Sequence, residues 1–128
     1  MDERHALGAA GERAAQRHLM RRGWRIVATN LRGGAEIDIL AERAGVLIAC
    51  EVKSSGGAPG DRPPVSARQA RRLRRSLDAL ARRHPRLARN GTRLDLILVS
   101  ASWRGWRVRH EPGALSEPPE GSNRRSAG

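Results

Sequence analysis

The stretch "VLIACEVKSS", residues 46–55, is apolar for its first half and then carries Glu51 and Lys53. Strand side chains alternate between faces, so Leu47, Ala49, Glu51 and Lys53 share one face and Val46, Ile48, Cys50 and Val52 the other. With both faces apolar until the end, this is a central strand covered on two sides, and its charges lie at the rim where α/β sheets commonly bind ligands. Burying unpaired charge is expensive, so these charges need a reason. A further count narrows the reason: among 25 basic residues Lys53 is the only lysine, and the rest are arginines. A compact ammonium whose pKa the surroundings can tune does chemistry that a planar, permanently charged guanidinium does not.

Working outward, "AEIDILAE" precedes the central strand and the pair Ala44-Gly45 separates the two, which predicts a hairpin. If it turns through Glu42-Arg43-Ala44-Gly45, Ala41 faces Val46, Asp38 faces Ala49 and Glu36 faces Glu51. Asp38 then lies diagonal to Glu51, with Cα atoms about 7–8 Å apart, near enough for two carboxylates to lean onto one cation. A register shift of one residue would send Asp38 to the opposite face. An oxygen-only ligand set with open positions favours Mg²⁺ or Mn²⁺ over zinc. Such an ion, held by Asp38 and Glu51, can offset charge on a phosphate and acidify a bound water, with Lys53 orienting that water or neutralising the phosphate. The same three side chains also suit a structural ion pair at a sheet end, and the residues alone leave both readings open.

Residues 5–22 lack proline and β-branched residues and stop at Gly23, which predicts a first helix; Gly8 and Gly11 weaken its start unless another chain segment packs close there. "WRIVATNL" is the first strand. After the central strand, "SSGGAPGDRPP" (54–64) is a flexible loop. Ser66 and Gln69 form an S-x-x-Q capping box, and Ala70, Leu73, Leu77 and Leu80 repeat at helical spacing behind it. The other face of that helix carries Arg68, Arg71, Arg72 and Arg75, either a solvated face or a phosphate-tracking surface. "TRLDLILVSA" and "GWRVRH" are a fourth strand and a fifth at an edge. The order is α-β-β-β-α-β-β, an α/β domain with a mixed central sheet over residues 1–110, and residues 111–128 have the composition of a disordered tail.

A net charge of +12 suits a polyanionic partner, nucleic acid first. The single cysteine, Cys50, excludes a disulfide framework and reads as a small buried hydrophobe in a reducing setting. No apolar run is long enough to span a bilayer and no signal-peptide core precedes the first helix, so a cytoplasmic protein without a membrane partner is expected. Phe and Tyr are absent and the three Trp are scattered, which favours recognition of nucleic-acid backbone and shape over base stacking.

The segment "GERAAQRHLMRRGWRIVATNLRGGAEIDILAERAGVLIACEVKSS" (11–55) resembles the YraN-type bacterial proteins, a largely uncharacterised family with the pattern G-E, L…G…N-x-R, G-E-I-D-L and F-V-E-V-K. That family is similar to archaeal Holliday-junction resolvases within the PD-(D/E)xK restriction-endonuclease-like nucleases. The likeness runs on through "RLDLILVS" to His110, nearly the whole expected domain. It implies a restriction-endonuclease-like core. It also implies a metal-dependent endonuclease acting on DNA, including branched DNA, with Asp38 and Glu51 as metal ligands and Lys53 as the catalytic lysine. The Val52 carbonyl and Glu12 of the "GE" element would complete the metal set. Junction cleavage would need two sites and hence a homodimer. Against the pattern, Ala35 replaces a glycine, Ala49-Cys50 replaces a bulkier pair, and Ser54 stands where a basic residue is common. Asp95 matches a family Asp and reads as structural; His110 matches a recurring His and reads as an edge-strand surface residue. The other reading of the chain is a nucleic-acid-binding or assembly protein that keeps the fold and catalyses nothing.

Overall fold

Positive backbone angles at two consecutive residues, Ala44 (φ 51°) and Gly45 (φ 81°), make the tight turn on which the sheet is built. The turn joins β2 (Ile37–Arg43) to β3 (Val46–Ser54) and sets Arg43 opposite Val46 and Ala41 opposite Ile48. It is shorter than the four-residue turn expected, because Glu42 stays in the strand and accepts the Gly45 N–H through Oε2 at 2.9 Å. Asn90 clamps the turn from outside, donating from Nδ2 to the Ala44 carbonyl at 2.7 Å and from its backbone N–H to the Gly45 carbonyl at 2.8 Å. A Cβ on Gly45 would meet Asn90 Nδ2 at 2.5 Å, so the position requires glycine for space as well as for φ.

The structure, a computed structural model, describes residues 3–34, 36–54 and 65–116. The order is α1 (Glu3–Arg21), β1 (Arg25–Leu31), β2, β3, α2 (Ala67–Arg83), β4 (Gly91–Ser102) and β5 (Gly105–Glu111), the order expected. The five strands lie in sequence across one sheet, antiparallel except for the parallel β3–β4 pair that α2 connects. The loop expected over 54–64 falls, from Ser55 on, outside the described residues. So does Ala35.

Each helix covers one face. Ala15 and Leu19 of α1 pack with Ile39, Ala41, Ile48, Cys50, Ile97 and Val99; Leu73 and Leu77 of α2 pack with Ile37, Leu40, Leu47, Ala49 and Leu94. The split of β3 between two cores is the one its alternation predicts, and Cys50 is fully buried. Of the two glycines early in α1, only Gly11 is needed for close approach: a Cβ there would meet the Val99 side chain at 2.8 Å, while Gly8 has open space.

The chain does not become a tail at Glu111. Leu115 packs against the α2 core, its N–H donates to the Leu94 carbonyl at 3.3 Å, and the Leu94 N–H donates to Ser116 Oγ. Residues 111–116 are therefore held on β4, against the expectation of disorder; a proline- and glycine-rich composition hid one well-placed leucine. Residues 117–128 lie outside the described residues.

Candidate active site

The short turn moves the β2–β3 register by two residues from the expected pairing. A shift of two preserves faces. Ile39 pairs with Cys50, so the next position along the ladder sets Asp38 directly opposite Glu51 instead of diagonal to it. Glu36 leaves the ladder altogether; it is exposed, lies before β2 and pairs loosely with Arg32 at 3.9 Å. The expected trio of acids is thus a facing pair with Glu36 at the rim.

Backbone and side chains hold each carboxylate by one oxygen. The Val52 N–H donates to Asp38 Oδ2 at 2.8 Å. Glu51 Oε2 receives both Lys53 Nζ and Gln69 Nε2, each at 3.2 Å. Among the described residues nothing bonds the other oxygen of either group. Glu51 is only 7% exposed, and burial, with Asp38 close by, pushes its pKa up against the pull of Lys53 and Gln69. Burial likewise raises Asp38; the Val52 N–H and Lys53 oppose the rise and Glu36 adds to it. The chain has brought two carboxylates together beside one lysine, and the net push on both pKa values is upward.

The Ser66 side chain caps α2 by accepting the Gln69 N–H, as expected, but the Gln69 side chain does not complete the box. It turns to Glu51 instead. The spacing contained this signal: Gln69, Leu73 and Leu77 recur every four residues, so Gln69 extends the buried stripe of α2 toward the sheet.

Asp38, Glu51 and Glu36 line a pocket of about 450 Å³ whose other wall includes Gln69, Arg68 and Arg72. Both arginines are exposed, and among the described residues no ion pair joins either of them to the carboxylates. Of the four arginines singled out on this helix, the fold brings Arg68 and Arg72 to the acids. Arg71 and Arg75 are also exposed but do not line the pocket. Arg74 is committed elsewhere, to Asp78 and Thr92.

Glu12 stands on α1, outside the pocket lining but within electrostatic reach. Burial and then Asp38 raise its pKa, while a hydrogen bond from Asn30 lowers it. Asn30, the Asn of the N-x-R element, has φ 53°, a conformation that asparagine tolerates better than most residues. The Val52 side chain packs on the α1 face, leaving only its backbone in the site. Among the described residues, no three His, Cys, Asp or Glu side chains form a ready-made metal cage. The donor set that exists, two facing carboxylates each with a spare oxygen, fits a hard divalent cation that keeps most of its water, as Mg²⁺ does.

A single buried carboxylate with its own set of partners lies on the other face. Asp95 is fully buried; Arg93 grips it through Nε and Nη2 at 2.8 Å each, His110 Nε2 lies 2.7 Å from Oδ2, and the Gly113 N–H donates to Oδ1 at 2.9 Å. Burial works to raise its pKa, but these hydrogen bonds and the Arg93 charge outweigh it and the net direction is down. Every bond that Asp95 makes here is to a neighbouring residue of the fold. His110 is not a surface residue: its side chain is 11% exposed and tied to Asp95.

Among the described residues, no helix is long and apolar enough to cross a membrane. The family described as "Uncharacterised protein family UPF0102" matches residues 11–99. A UPF0102 protein of Synechococcus sp. (strain JA-3-3Ab) is 37% identical over 97 residues, covering 73% of this chain and 74% of that one. One from Streptomyces coelicolor is 37% identical over 109 residues, covering 82% and 84%. Among solved structures, that of Pyrococcus furiosus SfsA in complex with Ca²⁺ is similar at a TM-score of 0.41 and 18% identity; the alignment covers 84% of this chain and spans 63% of that one. The chain belongs to the UPF0102 family, the YraN-type proteins it resembles in sequence.

Proposed function

We propose that this member of UPF0102 is a metal-dependent endonuclease that hydrolyses phosphodiester bonds in DNA, branched DNA included. The observation that carries the reading is the facing pair Asp38 and Glu51, both with raised pKa, in a pocket whose far wall is Arg68 and Arg72. Two carboxylates that repel each other inside a structure gain most from a shared divalent cation, and two arginines beside them without pairing to them leave space for a phosphate between.

In this reading Asp38 and Glu51 hold Mg²⁺ or Mn²⁺, with Glu12 and the Val52 carbonyl as further ligands. When bound, the ion supplies charge neutralisation at a phosphate oxygen and a more acidic water. The chain's own residues do the rest. Gln69 and the Val52 N–H each hold one carboxylate oxygen, which fixes the direction of the free one. Lys53 Nζ, 3.2 Å from Glu51 Oε2, is placed to hold the proton balance of a nearby water or to donate to the scissile phosphate. Arg68 and Arg72 bind flanking phosphates and, with Arg71 and Arg75 further along the same helix, track the backbone without reading sequence.

Cleavage of labelled four-way-junction, flap, single-stranded and duplex DNA at low salt, with Mg²⁺, Mn²⁺ or EDTA, tests this. Metal-dependent cleavage is expected, reduced at least about a hundredfold by Lys53→Ala and by Glu51→Gln. DNA that is bound yet left whole with either metal would instead favour a binding protein in which the Lys53–Glu51 pair is structural.

A further inference from the structure

On the sheet face away from the carboxylates, α1, the β2–β3 hairpin and β5 enclose a second depression of about 470 Å³, and its walls are cationic. His18 of α1, Arg22 just beyond it, Arg43 at the end of β2, Arg93 of β4 and His110 of β5 all line it. Trp24 forms its aromatic wall: the Arg43 guanidinium lies 4.4 Å from the indole centroid and that of Arg93 5.5 Å. Stacking of this kind orders long side chains that would otherwise move freely.

Charge here is not balanced. The carboxylate of the cluster is Asp95, and its oxygens are taken by Arg93, His110 and the Gly113 N–H. Among the described residues, neither Arg22 nor Arg43 pairs with a carboxylate. Arg22 Nη1 instead sits 3.3 Å from His18 Nδ1, and Arg43 Nη1 donates to the Arg22 carbonyl at 2.7 Å. Burial lowers the His18 pKa, and the Arg22, His110 and Arg21 charges lower it further. Two guanidinium groups with no carboxylate partner among the described residues and two imidazoles thus converge on one concave site, with the Asp95 network bracing its wall.

We infer that this pocket binds a phosphate group, carried by a free nucleotide or by a nucleic-acid strand. A phosphate offers the anionic oxygens that Arg22 and Arg43, bonded only to neutral groups, do not have, and charge-assisted bonds to guanidinium groups are the strong class of hydrogen bond. The site is separate from the carboxylate pocket. It lies on the opposite face and, since Arg43 is five residues along β2 from Asp38, about 17 Å away along the strand. A phosphate seated here cannot touch the proposed metal ligands.

The histidines allow a direct test on the full chain by imidazole NMR at fixed pH, with chloride holding ionic strength constant. Inorganic phosphate is expected to give saturable shifts of His18 and His110 while His84, exposed at the end of α2, stays still. Arg22→Gln, at an exposed position outside any helix or strand, and Arg43→Gln should each weaken that binding by about tenfold or more. Glu51→Gln should bind as the wild type does, so the result stands whatever becomes of the nuclease reading. Adenosine monophosphate, and one oligonucleotide with and without a 5′-phosphate, then separate the sources: shifts with the mononucleotide assign a free nucleotide, and shifts only with the oligonucleotides assign a strand. No saturable shift, equal movement of His84, or undiminished binding in Arg22→Gln overturns the inference.

Discussion

Asp95, fully buried, and the pair of half-buried Asp38 and buried Glu51 lie on opposite faces of one sheet, and their surroundings push them in opposite directions. Asp95 receives an arginine by two bonds, a histidine and a backbone N–H, and its pKa falls in spite of burial. Asp38 and Glu51 receive one N–H, one lysine and one glutamine between them, and both pKa values rise. Burial is common to the two regions; what differs is whether the protein supplies the partners. A fully partnered buried acid is finished structure, whereas an under-partnered facing pair holds unfavourable charge that a ligand can relieve.

The strongest way to break this contrast is Asp95→Ala, which leaves Arg93 and His110 facing a hole. A loss of about 3 kcal/mol is expected in urea denaturation, because the partly buried Arg93 and His110 lose their counter-charge. A cost no larger than that of a surface substitution would show that the network is not structural. Next in size is the response to metal. At a hundredfold excess over its Kd, Mg²⁺ or Mn²⁺ should stabilise the wild type by about 2.7 kcal/mol. Asp38→Asn and Glu51→Gln should abolish that gain in thermal melts, and a gain that survives both would put the ion elsewhere.

The smallest effect sharpens the comparison through pH. The raised values of Asp38 and Glu51 mean that their contribution to stability is full below their unfolded pKa, near 4, and is lost as pH rises through the folded values. Asp95 runs the other way: its contribution is present above its unfolded pKa and is lost as pH falls through the lowered folded one. Without metal, Glu51→Gln should therefore gain up to about 1 kcal/mol over wild type near pH 8 and lose that advantage near pH 4. Urea midpoints across pH read this directly. An unchanged difference between the two pH values would mean that Glu51 is not held above its ordinary range.

Much of this arrangement is legible in the sequence, because strand alternation is a strict rule. The period of two places Glu51 and Lys53 on one face of β3 whatever the hairpin does, and any even register brings Asp38 to the same face. The register itself is not legible. Spacing alone does not say whether Glu42 and Arg43 join the turn or stay in the strand; the Gly45 N–H on Glu42 Oε2 and the Asn90 side chain on the Ala44 carbonyl decide it. Gln69 matches a local capping pattern, and a local pattern cannot reveal a better acceptor on another element. His110 and residues 111–116 are hidden from sequence for a similar reason: an edge strand and a Pro-Gly turn look exposed until Asp95 and Leu94 are seen beneath them.

The clamped turn also bears on how the chain folds. Val52 and Asp38 are 14 residues apart in sequence, and a hairpin of this kind closes in about 1–10 μs. The parallel β3–β4 pairing, by contrast, joins segments far apart along the chain and waits on the slow closure of a long crossover. Asp38 and Glu51 are thus expected to meet before α2 docks and before Gln69 can reach them. The repulsion in the site is met early, in a nascent hairpin that the Ala44-Gly45 turn must hold together on its own. Turn geometry at one end of the strands then governs the rate at which the acids at the other end assemble.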